Sequence, residues 1–396
     1  MTLGIDAARH TVGALTHLTR YHAATTARGL AELSRAPRAL PLTSPVDSAG
    51  RALRWWGTML DRRVPHWHLP HRTVFRTPFA HLLDFSDGST DEVVPTLVLP
   101  PQAGHSSTVV DFSPAQSQVK VIREAGLTRV LVLDWRPATR ATRHVTITDY
   151  LDVIDRSIEL AGGRVNLVGD CQGGWLAAIY AALHPDRVHT LTLAGAPIDF
   201  HAGGSVIAST TKAMHGLLGM IPYRALVALN GGLMSGRAVL ANFIHIHPQS
   251  EIGRQLDLLH HLDDTEHVER YRVFEDWFKH TQDIPGAFYL WLVENLFVHN
   301  RLISGGLLVE GRRADLANVT CPLFLLAGAA DHITPPAQLL AAADAVGSPP
   351  EDVTVRVAAG GHLGLFMGRN ALRDDWPVLM AAVHEMSVGG RLPLVG

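Results

Sequence analysis

Cys171 lies in a short sequence pattern that could make its thiol a nucleophile. The apolar run that begins at Val165 predicts a strand, and the residues after Cys171 have the apolar spacing of a helix. Between them, glycines at 169 and 173 would allow a turn too tight for any side chain. The amino end of the helix would point its positive dipole at the sulfur, which favours the thiolate. The backbone N–H of Gln172 would then be placed to bind an oxyanion.

Two later residues could supply the base and the acid that a cysteine nucleophile needs. Asp331 follows the predicted strand 322–327, and His362 follows the last predicted strand, 353–357, on a Gly-Gly turn. A free thiol is mostly protonated at neutral pH, so His362 would take its proton while Asp331 orients the imidazole ring. The alternatives are an N-cap role for Asp331, a surface position for His362, and His332 as a rival base.

The strand, the Gly-x-Cys-x-Gly turn and the helix together resemble the nucleophile elbow of the α/β-hydrolase fold, with cysteine in the usual serine position. The order cysteine, aspartate, histidine also matches that fold. There the loop after the predicted strand 93–99 supplies a second oxyanion donor, which would be the N–H of Gln102 or of Ala103. The alternative for this loop is a plain Pro-Gly turn. Asp170 would oppose ionisation of the thiol unless its side chain turns away behind the elbow. A buried structural cysteine is the alternative for Cys171.

Composition excludes several classes of function. A formal net charge of −3 without a basic run gives no sign of a nucleic-acid partner. Two cysteines form no disulfide framework, so we expect Cys321 in the core and the chain in the cytoplasm. Met1–His10 does not resemble a secretory signal, and no apolar stretch of about 18 residues predicts a transmembrane segment. Neither a cofactor nor a metal is predicted, because cysteine or carboxylate does not accompany these histidines at ligand spacing: His66, His68, His71, His245 and His247.

Strands that alternate with helices predict an α/β protein with a mostly parallel sheet and helices on both faces. Residues 1–72 would form an N-terminal helical segment, and residues 73–200 and 313–396 the α/β core. Between the two core segments, residues 201–312 show helical stripes and no convincing strand, which is typical of a lid over an active site. We expect the lid to cover an apolar acyl channel lined by its aromatic residues: Phe274, Trp277, Phe278, Phe288, Tyr289 and Trp291. The alternative is that these side chains pack against the α/β core.

Two local features are predicted as well. Thr148 is a suitable N-cap for the helix that carries Ile154. In the N-terminal segment, Leu53, Trp56 and Leu60 form an apolar stripe, which is predicted to cover the core; the alternative is a surface that binds an apolar partner.

Over roughly residues 75–385, the chain resembles the polyhydroxyalkanoate synthase and intracellular polyhydroxyalkanoate depolymerase group of α/β-hydrolases, which uses a cysteine nucleophile. The segments similar to synthases are Gly169–Gly174, Tyr180–Pro185, Asp134–Arg136, Asp331–Pro335 and Gly361–Gly364. The segments similar to depolymerases are Pro78–Leu83, Pro101–His105, Gly195–Asp199, Asp283–Leu290 and Gly364–Arg369. Both sets support the group and leave the branch open.

The resemblance implies three alternative functions. The first is a cysteine-dependent acyl hydrolase for hydroxyacyl esters or thioesters, similar to an intracellular depolymerase. The second is a synthase-type acyltransferase that uses hydroxyacyl-CoA, and the third is a non-catalytic granule-associated protein. The implied partners are a hydroxyacyl ester, polyester or acyl-CoA substrate, a polyester granule surface, and a second copy of the chain in a homodimer.

Overall fold

The computed structural model describes residues 20–21, 23–31, 34, 45–86, 88 and 93–389. At its centre is a sheet of eight strands: β1 Arg72–Arg76, β2 Ala80–Asp84, β3 Thr96–Leu99, β4 Val130–Trp135, β5 Val165–Asp170, β6 Val188–Ala194, β7 Leu323–Gly328 and β8 Val353–Ala358. Their order across the sheet is β1-β2-β4-β3-β5-β6-β7-β8, and only the pairs that include β2 are antiparallel. This is the arrangement of the α/β-hydrolase fold, so the predicted fold class is confirmed.

Helices cover both faces of this sheet. Those of the core and of the N-terminal segment are α1 Pro45–Leu60, α2 Gln118–Glu124, α3 Ile147–Ala161, α4 Gln172–Leu183, α11 Pro336–Leu340, α12 Ala342–Ala345, α13 Gly364–Met367 and α14 Trp376–Gly389. Those between β6 and β7 are α5 Val206–Leu218, α6 Ile221–Leu229, α7 Gly236–Ile246, α8 Pro248–His260, α9 Thr265–Lys279 and α10 Gly286–Leu292. Strands β4, β5 and β7 are buried along their whole length, as their continuous apolar sequences require.

The structure corrects the predicted N-cap of α3. Thr146, not Thr148, is the cap: its N–H donates to Oδ2 of Asp149 at 2.6 Å, and its hydroxyl donates to the same oxygen at 2.8 Å. A Thr-x-x-acid spacing satisfies the free N–H groups at a helix start, so the helix begins two residues earlier than predicted. Thr148 lies inside the first turn of α3.

The N-terminal segment differs from its prediction in two ways. Strand β1, which the sequence did not predict, begins at Arg72 and pairs with β2, so the sheet starts one residue before the predicted α/β core. Helix α1 packs against lid helices α8 and α9 through Trp55 and Met59, whereas the predicted apolar stripe of Leu53, Trp56 and Leu60 is exposed. Of the rest of this segment, 1–19, 22, 32–33 and 35–44 lie outside the described residues.

The lid is mainly helical, but it also contains short strand pairings that the sequence did not predict. Leu233–Met234 pairs with Ile284–Pro285, and Leu308–Val309 pairs with Arg312–Arg313, all antiparallel. A pairing of two residues is too short to leave an alternating pattern. No helix among the described residues has both the length and the apolar composition needed to cross a bilayer.

Candidate active site

Cys171 lies at the turn between β5 and α4, in a backbone conformation that residues other than glycine seldom adopt. Its φ is 50° and its ψ is −111°. A methyl group on Gly169 would lie 2.5 Å from the carbonyl oxygen of Gly173, and one on Gly173 would overlap the carbonyl oxygen of Leu99. The two glycines therefore allow the close contact of the turn with its own helix and with the end of β3.

His362 and Asp331 come from neighbouring loops at the carboxyl ends of β8 and β7. Nδ1 of His362 lies 2.7 Å from Oδ2 of Asp331, and both side chains are buried. The other oxygen of Asp331 accepts the N–H groups of Ile333 and Thr334 at 2.9 and 2.8 Å. The carboxylate is thus fixed by its own turn while it holds the imidazole ring.

The electrostatic environment of His362 favours a protonated ring. Burial lowers its pKa, but the charges of Cys171 and Asp331, together with hydrogen bonds to both, outweigh burial and raise the pKa to about 10. Cys171 and His362 also line the same cavity. The structure therefore brings together the three residues that the sequence selected, with histidine between the sulfur and the carboxylate.

Asp170, next to the nucleophile, faces away into the protein. Its carboxyl is fully buried, and its Oδ1 accepts a hydrogen bond from the side-chain amide of Gln118 at 3.2 Å. Burial raises the pKa of Asp170 to about 7, although the bond from Gln118 and the charge of His362 act in the opposite direction. A carboxyl that is mostly neutral below that pH opposes a thiolate only weakly.

The loop after β3 reaches the cavity through Pro101 and Ala103. The side chain of Gln102 instead points into the core, where its amide donates to the carbonyl of Arg136 at 3.1 Å and its oxygen accepts the hydroxyl of Tyr150. Only the backbone of Gln102 is therefore available to a reacting carbonyl. The sequence did not indicate this anchoring role of its side chain.

A cavity of about 160 Å³ opens beside the candidate nucleophile. Residues of the core form one wall, and lid helices α7, α8 and α9 form the other. The lining is mainly apolar, and the lid contributes Phe243, Ile244, Phe274, Trp277 and Phe278. Of the six lid aromatics predicted to line a channel, Phe274, Trp277 and Phe278 line this cavity. The other three do not, because Phe288 lies in the main core and Tyr289 and Trp291 pack against it.

The lid wall also carries charged residues that sequence reasoning did not select. The guanidinium of Arg254 lies over the rings of Phe274 and Phe278, at 4.9 and 5.0 Å from their centroids. It forms ion pairs with Glu251 and with the buried Glu275. From the apolar spacing of this helix, residues 251 and 254 would be placed on its exposed face. Nothing in the sequence therefore distinguished them from charges that face solvent.

His105 is another cavity residue for which the sequence predicted no role. Its ring stacks on Trp277 at 4.9 Å between centroids, and Nε2 lies 3.0 Å from the carbonyl oxygen of Phe278. Burial lowers its pKa to about 4, so the ring is neutral at physiological pH. It joins the loop after β3 to α9 of the lid. Its place in the segment Pro101–His105 was the only signal.

The rival base His332 and the second cysteine, Cys321, lie elsewhere. His332 is exposed, and its ring packs on His247 of the lid at 4.6 Å between centroids. Cys321 precedes β7 and packs against the main core, where burial raises the pKa of its thiol to about 11. Neither lines the cavity beside Cys171.

Comparisons with known proteins place the chain in a family. A family model described as "Protein of unknown function (DUF3141)" matches residues 80–388. A protein of Allochromatium vinosum named "Poly(3-hydroxyalkanoate) polymerase subunit PhaC" is 27% identical over 284 residues, which cover 70% of this chain and 77% of that one. A protein of the same name from Haloferax mediterranei is 27% identical over 335 residues, or 81% of this chain and 65% of the relative. The chain thus spans from 65% to 77% of these relatives' length.

A solved structure described as a hydrolase from Pseudomonas aeruginosa PA01 is 19% identical, with a TM-score of 0.48, and covers 81% of this chain and 98% of that one. The names of the curated relatives confirm the predicted resemblance to the polyhydroxyalkanoate synthase group. These names favour the acyltransferase, which was the alternative, over the acyl hydrolase, which was the first expectation from the sequence.

Proposed function

This chain belongs to the family described as "Protein of unknown function (DUF3141)", and we propose that it is a cysteine-dependent acyltransferase of the polyhydroxyalkanoate synthase type. Its substrate would be a hydroxyacyl-CoA thioester, and its acceptor the hydroxyl end of a growing polyester. The observation that carries the proposal is the buried relay from Asp331 through His362 to Cys171, at the wall of a mainly apolar cavity.

The first half-reaction forms an acyl-enzyme. The sulfur of Cys171 attacks the thioester carbonyl carbon, and the carbon–sulfur bond to CoA breaks. Protonated His362 gives its proton to the departing CoA thiolate. The developing oxyanion would be held by the N–H of Gln172 and by the N–H of Gln102 or Ala103.

The second half-reaction transfers the acyl group. Neutral His362 takes the proton of an acceptor hydroxyl, whose oxygen attacks the acyl carbon and displaces the sulfur of Cys171. Asp331 stabilises the imidazolium and keeps its orientation. Water in place of the hydroxyl would give hydrolysis, and the apolar lining of the cavity is our reason for favouring a hydroxyl carried by an acyl chain.

A product assay separates the alternatives. Purified chain is incubated with a 3-hydroxyacyl-CoA, CoA release is followed with a thiol reagent, and the products are separated into polymer and free acid. We expect CoA release with polymer. Free hydroxy acid would instead establish the hydrolase, and release no faster than in a Cys171→Ala variant would establish a non-catalytic protein.

Cys321 provides the matched control for the nucleophile. Cys171→Ala should lower CoA release by at least about 1,000-fold and leave the fold intact, because a small residue fits the turn. Cys321→Ala should release CoA at the wild-type rate per folded molecule. Equal losses in the two variants would refute the covalent mechanism.

A polyester granule surface, a homodimer and a cytoplasmic location remain predictions.

A further inference from the structure

Three side chains at the turn between α8 and α9 form a cluster far in sequence from the relay. Asp257 lies on the last turns of α8, His261 directly follows that helix, and His267 lies in the first turn of α9. One ligating atom from each lies within 4.8 Å of the other two. Asp257 and His261 are four residues apart and so share one helix face, which the amino end of α9 approaches.

The distances within the cluster suit a shared metal ion. Nδ1 of His261 lies 3.2 Å from Oδ1 of Asp257, and Nε2 of His267 lies 3.2 Å from Oδ2. Two ligand atoms bound to one Zn²⁺ at about 2.1 Å and at about 90° to 110° lie about 3.0 to 3.4 Å apart. The two rings are stacked, with centroids 4.5 Å apart, and each has one nitrogen near a different oxygen of the same carboxylate.

We propose that Asp257, His261 and His267 bind a divalent transition-metal ion of the Zn²⁺ class, which joins α8 to α9. Two imidazole nitrogens and one carboxylate favour Zn²⁺, Co²⁺ or Ni²⁺ over Mg²⁺ and Ca²⁺, which prefer oxygen ligands only. Two of the three side chains are exposed and the third is half-buried, so the ion can enter from solvent and keep water on its remaining positions.

The contacts of neighbouring residues leave these three side chains available to a metal ion. The nearby carboxylate of Asp263 is held by Arg51 and Arg54 of α1, at 2.7 and 2.9 Å. Asp264 accepts the N–H groups of Glu266 and His267 and so fixes the start of α9. Without an ion, Nδ1 of His261 also lies 2.9 Å from the carbonyl oxygen of Asp257, so its proton must leave that nitrogen when the ion binds.

The site would act on the lid rather than on the chemistry. Glu251 and Arg254, which line the cavity, lie on α8 only six and three residues before Asp257, or about 9 and 5 Å along the helix axis. An ion at the turn would hold the helices together at the end where α1 packs on them. The proposal is independent of the reaction catalysed, because it rests on the lid alone.

Calorimetric titration with Zn²⁺ tests the site. Chain carrying Cys171→Ala, which removes the candidate thiolate as a competing ligand, is stripped with EDTA, dialysed and titrated. We expect one equivalent to bind with a Kd in the micromolar range, and Mg²⁺ to give no binding at the same concentration. His267→Gln and Asp257→Asn should each weaken Zn²⁺ binding by at least about tenfold.

His260→Gln is the matched control, since His260 is exposed at the end of α8 and its ring lies 6.4 Å from that of His261 between centroids. It should bind Zn²⁺ as the parent does. Zn²⁺ should also slow amide exchange across residues 257–267 in the parent and not in His267→Gln. Equal affinity in all four proteins, or no binding in the parent, overturns the proposal. Melting curves in EDTA verify that each variant is folded.

Discussion

Two helices of the lid, α9 and α10, both carry aromatic side chains, and these side chains have different surroundings. Phe274, Trp277 and Phe278 of α9 line the cavity beside Cys171. Phe288 of α10 is fully buried in the main core, where its ring stacks on that of Tyr150 at 4.0 Å between centroids. An aromatic stripe therefore indicates that a helix face is covered, and only the tertiary structure decides whether protein or ligand covers it.

The difference follows from how each helix is attached. Helix α10 starts at Gly286, whose closeness to Gly232 leaves no room for a side chain, and Phe288 also packs near Trp175 of the elbow helix. It is thus part of the core although it lies within the lid segment. Helix α9 packs on α1 and α8 through Val268 and Tyr271. At its carboxyl end, the indole N–H of Trp277 donates to the carbonyl of Ser106 at 2.9 Å.

The largest expected effect is that of Phe288→Ala on stability. Removing a fully buried Phe leaves a cavity in the core, so the free energy of unfolding should fall by about 3–5 kcal/mol. Urea denaturation measures this loss. The specificity constant per folded molecule should change by less than about twofold, because Phe288 lies outside the cavity.

A Phe288→Ala variant with a lowered kcat/KM and unchanged stability would contradict this comparison of the two helices. In that case Phe288 would reach the substrate, and the two aromatic groups would have the same role.

The second prediction concerns the attachment of α9 through His105. Burial lowers the pKa of this ring to about 4, with a further contribution from the charge of His280, whereas contacts with two backbone carbonyls oppose the shift. Because the pKa in the folded state lies below the unfolded value of about 6.5, the contribution of His105 to stability is complete above pH 6.5. It is lost as the pH falls toward 4, by about 2 kcal/mol between pH 7 and pH 5.

Replacing His105 by Gln should remove that part of the pH dependence. Unfolding of both proteins is measured from pH 7 to pH 5, and the difference between the two profiles isolates the residue, since the other titrating groups are common to both. Parallel profiles would show that His105 does not titrate as its burial implies.

The sequence predicted the elbow well because its determinants are local. Gly169, Cys171 and Gly173 act through steric limits within one turn, and the positions of Asp331 and His362 follow from strand order. The sequence did not predict the features that depend on contacts between residues far apart in the chain. The side chain of Gln102 is anchored by Tyr150 and Arg136, and the core position of Phe288 depends on packing against α3 and α4.

The segments most difficult to predict were short or exposed. Strand β1 has alternating exposure at the edge of the sheet, and the two-residue pairings of the lid have no period at all. The charges of Arg254 and Glu251 resemble a solvated helix face until α9 covers them. In each case a local pattern was absent or had two equally good explanations.

The smallest expected effect, and the matched counterpart of the first, is that of Phe274→Ala on substrate binding. Phe274 is half-buried at the cavity wall, so on the proposed function its loss should cost about 1 kcal/mol, or about fivefold in kcat/KM. Stability should fall by less than in Phe288→Ala, because less area leaves the core. Steady-state assays on hydroxyacyl-CoA thioesters of increasing chain length measure the effect, which should grow with length. A loss that is equal at every length, together with a stability loss as large as that of Phe288→Ala, would make α9 a second piece of core.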